Sequence, residues 1–221
     1  CTKSSHFRYI LEEVLRHEVH IETSSAFDID LIRQLHRQKK VGKDKLIICN
    51  GFKPEIYLQK IVELINDGFE NVIPICDNWK EIDYYEAHIK GVCKLGIRIA
   101  TEEEPNFEFY TSRLGIRHSE VARFYRERIA GNPKFQLKML HFFVDTGIKD
   151  SLYYWGELKK AIKLYCEIKR ESDELKAINI GGGMPIRNSL GLEFDYKYMV
   201  KEIVANILHA CEEEEVPEPD I

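Results

Sequence analysis

Apolar and polar positions follow two periods along the chain. Short runs rich in β-branched residues, such as "LIICN" and "VIPIC", are separated by longer segments in which apolar residues return every three or four positions. The first pattern is that of a strand buried on both faces, and the second that of an amphipathic helix. The strand pattern falls at residues 19–22, 45–49, 72–76, 95–100, 136–144 and 176–180. The helical pattern predicts helices at roughly 5–17, 25–38, 54–67, 79–90, 118–130, 151–172 and 195–214. In the first of these Phe7, Ile10, Leu11, Val14 and Leu15 make one stripe, with Ser4 or Ser5 available as N-cap. Pro54 stands where a first-turn proline is tolerated.

Alternating strands and helices predict βα units and a parallel sheet. With the opening "CTK" as the tail of one strand and the closing "PDI" as the start of another, the tally becomes eight, the arithmetic of a (β/α)8 TIM-type barrel. A doubly wound sheet is the alternative, because alternation does not separate the two. The chain begins at Cys1 rather than Met and closes on a strand-like segment. We therefore expect an α/β barrel truncated at both ends, a single domain over residues 1–221 cut from a longer protein.

Composition narrows the function. The 221 residues hold 32 basic and 37 acidic side chains, a formal net charge of -5, so there is no global positive field to hold nucleic acid or an anionic membrane. The six cysteines form no CxxC pair and no zinc-spaced cluster, and several sit in apolar runs, which points to reduced thiols, a cytoplasmic location and no metal. No apolar run reaches the roughly 18 residues needed to span a bilayer, and no signal peptide is recognisable.

In either parallel architecture the loops after the strand C-termini form the working face. The polar groups expected there are Lys3, Glu22 to Ser25, Asn50 to Lys53, Arg98, His141 to Thr146, and Gly181 to Gly183. The glycine triplet is either an anion nest of exposed N–H groups or a plain tight turn. It lacks the GxGxxG spacing and opens no helix directly, which disfavours a dinucleotide site. Lys3 is either a partly desolvated amine able to act as a nucleophile or a surface lysine near a chain end. A phosphate nest and a lysine amine on one face together are what pyridoxal 5'-phosphate (PLP) requires. His141 and Phe143 lie two apart on a strand and share a face, where either packs in the core or meets a cofactor ring. Glu22 orients Lys3 or is a rim carboxylate. Residues 101–115 form a lid or a solvated loop.

The ordered set "TKSSHF", "VHIETSSAFDI", "IICNGFKPEIY", "GIRIATEEE", "TSRLGI", "LHFFVDTG", "INIGGGMPI" and "VPEPDI" resembles the PLP-dependent decarboxylases with an alanine-racemase-like barrel. The likeness is strongest to biosynthetic arginine decarboxylases and weaker to ornithine and diaminopimelate decarboxylases. It runs through essentially the whole chain. The resemblance implies that Lys3 is the Schiff base lysine, that Gly181, Gly182 and Gly183 cradle the cofactor phosphate, and that Arg98 contacts the phenolic oxygen. It places Glu22 at the family's acidic position near the lysine, Asp28 where a glutamate is common, and Thr146 where a serine helps hold the cofactor.

One departure stands out. In the family a histidine stacks on the pyridine ring in a pattern like HFHLGS; here His141 is followed by Phe142 and Phe143, and Phe143 takes the stacking position. A phenyl ring stacks but neither donates a hydrogen bond nor carries charge. The resemblance further implies a glutamate on a following strand, a β-rich C-terminal domain and a partner subunit, which leads us to expect an inactive isolated chain and a full-length homodimer or higher homo-oligomer. The expected reaction is decarboxylation of a basic amino acid, arginine to agmatine, with ornithine or diaminopimelate as alternative substrates. Two further alternatives stay open: a catalytically silent homologue serving as a binding or regulatory module, and a phosphate-binding barrel without PLP.

Overall fold

The structure, a computed structural model, describes residues 1–3, 7–101, 114–144, 151–184 and 194–221. It divides into two compact units, residues 1–96 with 131–137, and residues 97–130 with 138–221.

The first unit is a run of βα repeats. Strand β1 (Ile21–Thr23) leads to α2 (Ala26–Arg37), β2 (Ile47–Cys49) to α3 (Glu55–Asn66), and β3 (Val72–Cys76) to α4 (Trp79–His88); a short helix, α1 (Arg8–Val14), precedes them. The strands pair in parallel, Glu22 opposite Ile48 and Cys49 opposite Pro74. A parallel pair requires a crossover, and the helices supply it. Strands β2 and β3 are buried at every position, the continuous apolar run that both-face burial demands. Helix α2 turns Ile29, Ile32 and Leu35 inward at three-residue spacing, and all three are buried. Burying one such side chain contributes about 1.5–3 kcal/mol, and cutting Ile29 to Ala costs about 2–5 kcal/mol once the cavity is included.

Helix ends are set by local polar chemistry. Asp28, in the first turn of α2, reaches back to accept from Ser24 N–H at 2.9 Å and Ser25 Oγ at 3.0 Å. Asn78 caps α4 by accepting from Lys80 N–H at 3.0 Å and Glu81 N–H at 3.2 Å. Pro54 precedes α3, one residue outside the helix. The expected serine caps of α1 lie outside the described residues, and α1 itself starts after Phe7.

The second unit contains the C-terminal half of β4 (Cys93–Ala100), a two-residue strand β5 (Ile116–Arg117), helix α5 (His118–Phe124), most of β6 (Phe135–Phe142), helix α6 (Ser151–Lys169), β7 (Ala177–Asn179) and helix α7 (Tyr196–Glu213). β4 pairs with β5 and β6 with β7, again in parallel. The expected uninterrupted helix over 118–130 is α only as far as Phe124; Tyr125–Ile129 widen into a π turn, closed by Ala130 N–H on Tyr125 C=O at 2.8 Å. The wider turn keeps both Tyr125 and Ile129 buried. In α7 Met199, Ile203, Ile207 and Cys211 recur every four residues and are the buried face. The closing "PDI" segment behaves as a strand start: Asp220 bridges Ala177 in parallel, and Ile178 N–H donates to Asp220 C=O at 2.9 Å. Among the described residues no helix is long and apolar enough to cross a membrane.

Candidate active site

Within the second unit, three strand ends bring Arg98, His141, Phe143 and the glycine triplet into one neighbourhood. The register of β6 on β7 sets His141 opposite Asn179. His141 is buried, and its Nδ1 donates to Asn179 C=O at 3.2 Å, since a carbonyl only accepts. Asn179 also starts the turn that follows: its Oδ1 accepts from Gly181 N–H at 2.8 Å.

The glycine turn has a geometry that tells its members apart. Gly181 and Gly183 take φ of +68° and +89°, the left-handed region that a Cβ disfavours. A Cβ on Gly181 would also lie 2.8 Å from Phe143 Cδ2 and 2.9 Å from Phe142 C=O. Gly181 is therefore required by the fold. Gly182 is different: its φ is outside that region and nothing among the described residues lies within 4 Å of a Cβ built there. No described residue accepts from the N–H of Gly182 or Gly183. Two successive main-chain donors beside a space that no described residue fills form the kind of nest that takes an anion.

Phe143 stands between the glycine turn and β4. Its ring meets the space over Gly181 on one side, and the buried Arg98 guanidinium sits 5.8 Å from its centroid on another. A cation at that distance is attracted by the ring face, by about 0.5–2 kcal/mol depending on desolvation. The ring is thus fixed between a main-chain turn and a buried cation, half-exposed and available to an apolar or aromatic ligand face.

In the first unit, the residue before Lys3 meets Glu22 through main chain. Thr2 N–H and Thr2 Oγ both donate to Glu22 C=O, at 2.8 and 3.1 Å, so the opening residues run beside β1 as a neighbouring strand end would. Lys3 follows with its side chain exposed. Asn50 Nδ2 donates to Glu22 Oε1 at 3.4 Å. Asp28 serves the start of α2, as described above. Thr146 and nearly all of the 101–115 segment lie outside the described residues.

Sequence reasoning placed Lys53 only loosely, in the polar loop after β2, and missed its partners. Lys53 Nζ is buried against Asp77 and Glu81. The signal available was "CDNWKE", in which a strand ends on a carboxylate and a helix opens with an Asn cap and a Glu three residues on.

The whole chain, residues 1–221, matches the family model "Pyridoxal-dependent decarboxylase, pyridoxal binding domain". The biosynthetic arginine decarboxylase 2 of Synechocystis sp. is 25% identical over 202 residues, covering 84% of this chain and 30% of that protein. Among solved structures, the lysine decarboxylase from Selenomonas ruminantium superposes with a TM-score of 0.70 at 18% identity, over 97% of this chain and 52% of that one. The arginine decarboxylase of Paramecium bursaria Chlorella virus gives a TM-score of 0.63 at 16% identity, over 95% of this chain and 51% of that one. The chain thus spans about a third of its curated relative and half of its structural neighbours. The structural likenesses show the fold, an α/β barrel of the TIM type and not a doubly wound sheet. The parallel βα units, the strand-end glycine turn and the uninterrupted family match lead to one conclusion: this chain belongs to the pyridoxal-dependent decarboxylases, as their pyridoxal binding domain.

Proposed function

We propose that the protein to which this domain belongs decarboxylates a basic amino acid, arginine to agmatine, with PLP held in this domain. The observation that carries the reading is Gly182, a glycine with no reason in the described chain to lack a side chain, flanked by two left-handed glycines. An anion that must touch main chain supplies that reason. The residues of the second unit fit the cofactor: a nest for its phosphate, a ring face at Phe143 and a cation at Arg98; the family resemblance supports Lys3 as its amine.

Bound PLP supplies an electron sink for the pair of electrons left on the α-carbon when carbon dioxide departs. The chain's own residues bind and orient. The Gly182 and Gly183 N–H groups would donate to the phosphate oxygens, and a nest of main-chain dipoles does so without a mobile side chain to order. Phe143, held by Arg98 and the Gly181 turn, would offer its apolar ring to the cofactor. Lys3 provides the amine that attaches the cofactor, and Glu22 is the carboxylate beside it. His141 supports the floor of the site, since its Nδ1 proton is committed to the β7 main chain.

Residues 1–221 act in this reading as one domain, supported by a single unbroken family match. Arginine is preferred because the curated relative named above is an arginine decarboxylase. The family resemblance supports a homodimer or higher homo-oligomer, and the net charge of -5 supports a small-molecule partner with no nucleic acid. Six free cysteines, five of them buried, support a cytoplasmic setting. The test is release of agmatine and carbon dioxide by the full-length protein with excess PLP and arginine, repeated with ornithine, diaminopimelate and lysine. Turnover of arginine above the others supports the proposal. Preference for another of the four corrects the substrate, and silence on all four overturns the enzyme reading.

A further inference from the structure

The group of charges in the first unit that the proposed function leaves unused is Lys53, Asp77 and Glu81. The side chain of Lys53 is 0% exposed, Asp77 2% and Glu81 5%. Lys53 Nζ has three protons and three close acceptors: Asp77 Oδ2 at 3.0 Å, Glu81 Oε2 at 3.1 Å and Gly51 C=O at 3.0 Å. Glu81 is itself held, its Oε2 accepting from Asp77 N–H at 3.2 Å and its Oε1 from Asn78 Nδ2 at 3.0 Å. Burial alone would pull the ammonium's pKa down, but the Glu81 and Asp77 carboxylates outweigh it and hold Lys53 charged.

A buried ion cluster is weak evidence for stability, because well-packed apolar residues of the same volume do as well or better. What apolar residues do not do is reach a named carbonyl. One Lys53 proton is spent on Gly51 C=O, in the turn that leaves β2, and that turn leads to Glu22. Gly51 takes φ of +81°, and a Cβ there would lie 3.3 Å from Ser24 C=O in the loop that leaves β1. Gly51 N–H donates to Asn50 Oδ1 at 2.8 Å, which aims the Asn50 amide. Asn50 N–H is tied to Thr23 C=O at 2.9 Å, and its Nδ2 donates to Glu22 Oε1.

We propose that Lys53 is a positioning residue that acts through the Gly51 carbonyl and the Asn50 amide to fix the direction of the Glu22 carboxylate. The proposal rests on the reading that Glu22 stands beside the cofactor-bearing Lys3. Asp77 and Glu81 hold the ammonium, the ammonium holds the turn, and the turn holds the amide that meets Glu22. The device sets a carboxylate before any ligand arrives, so no ordering is left for the binding step.

The test uses the full-length protein, stripped of PLP and titrated with it, reading both the dissociation constant and the absorbance maximum of the bound cofactor. Lys53→Met is expected to weaken PLP binding about tenfold and to displace the absorbance maximum in the same direction as Glu22→Gln. In a Glu22→Gln background, Lys53→Met should add less than about twofold, because the two act on one contact. Gly51→Ala disturbs the turn while keeping all three charged side chains, is expected to behave alike, and decides the matter if Lys53→Met does not fold. Ile203→Val, in the buried face of α7, is the control: it lowers melting temperature and leaves the cofactor's constant and spectrum unchanged. Wild-type cofactor binding and absorbance in Gly51→Ala and in folded Lys53→Met, with both altered in Glu22→Gln, would overturn the positioning role and leave the proposed function standing. Independent, additive effects of Lys53→Met and Glu22→Gln would overturn it too. Unchanged PLP binding in Glu22→Gln and Lys3→Ala alike would overturn the functional reading itself, and the inference with it.

Discussion

Gly181→Ala and Gly182→Ala are one methyl group each, on adjacent residues, and the structure sets their consequences apart. At Gly181 the new Cβ enters a φ of +68° and approaches Phe143 Cδ2 to 2.8 Å and Phe142 C=O to 2.9 Å. The left-handed backbone costs about 1–2 kcal/mol for a residue with a Cβ, and overpacking adds about 1–3 kcal/mol unless the neighbours move. The turn is exposed, so part of this is relieved by local shift, leaving a loss of about 2–4 kcal/mol shared between stability and site geometry. If it all fell on phosphate binding, PLP affinity would drop about 30- to 1,000-fold, at 1.4 kcal/mol per decade. At Gly182 φ lies outside the left-handed region and no described residue stands within 4 Å of the new Cβ, so stability should change by no more than about 0.5 kcal/mol. The methyl group nonetheless stands where an anion must approach the N–H groups, and PLP affinity should fall by at least about tenfold. Urea unfolding of the apo protein and fluorescence titration with PLP measure the two quantities separately. Gly182→Ala with unchanged stability and unchanged PLP affinity would refute the argument that this glycine is kept for a ligand.

Three other outcomes follow from the same geometry. Phe143→Ala removes the ring held by Arg98 and should weaken PLP retention and turnover together, whereas Phe143→His should be tolerated or beneficial; loss of both in Phe143→His, measured by cofactor titration and carbon dioxide release, contradicts stacking as the ring's role. Burial pushes the Cys49 and Cys93 thiols up to about 12, and Cys1 is exposed; at pH about 8 a thiol of pKa 12 is ionised about once in ten thousand molecules, so brief alkylation followed by peptide mapping should mark Cys1 and spare the other two. Lys53→Met leaves two buried carboxylates without their cation and should cost about 3–5 kcal/mol near neutral pH. The folded-state pKa of Lys53 lies above its ordinary 10.5, so from the Lys53 side its contribution is present below pH 10.5 and lost as pH rises through the folded value; the stability gap between variant and wild type, read by urea titration, should narrow above that pH, and narrow also in acid, where Glu81, whose pKa burial raises, takes up a proton and no longer needs the cation.

The repetitive part of the fold was legible because each βα unit declares itself locally. "VIPIC" predicts a strand over 72–76, and β3 is Val72–Cys76; the helix expected over 25–38 is α2, Ala26–Arg37. What escaped is non-local. β5 has two residues and exists because Ile116 lies opposite Ile99, a register that no periodicity announces. The π turn after Phe124 arises from where Tyr125 and Ile129 must both be buried, not from propensity. In the site, three glycines in a row read as either a turn or an anion nest, and only the fold separates Gly181, which it requires, from Gly182, which it does not. The Lys53 cluster joins residues 24 apart in sequence, and its sequence trace was only a helix-capping pattern.

The central claim, that this domain holds PLP with Lys3 as its attachment point, is tested most directly by trapping the linkage. The full-length protein, incubated with PLP and reduced with borohydride, is digested and its peptides are mapped by mass. A phosphopyridoxyl group on the peptide containing Lys3, absent from Lys3→Ala, is the result predicted. The same group on another lysine, or on none in the wild-type protein, would contradict it.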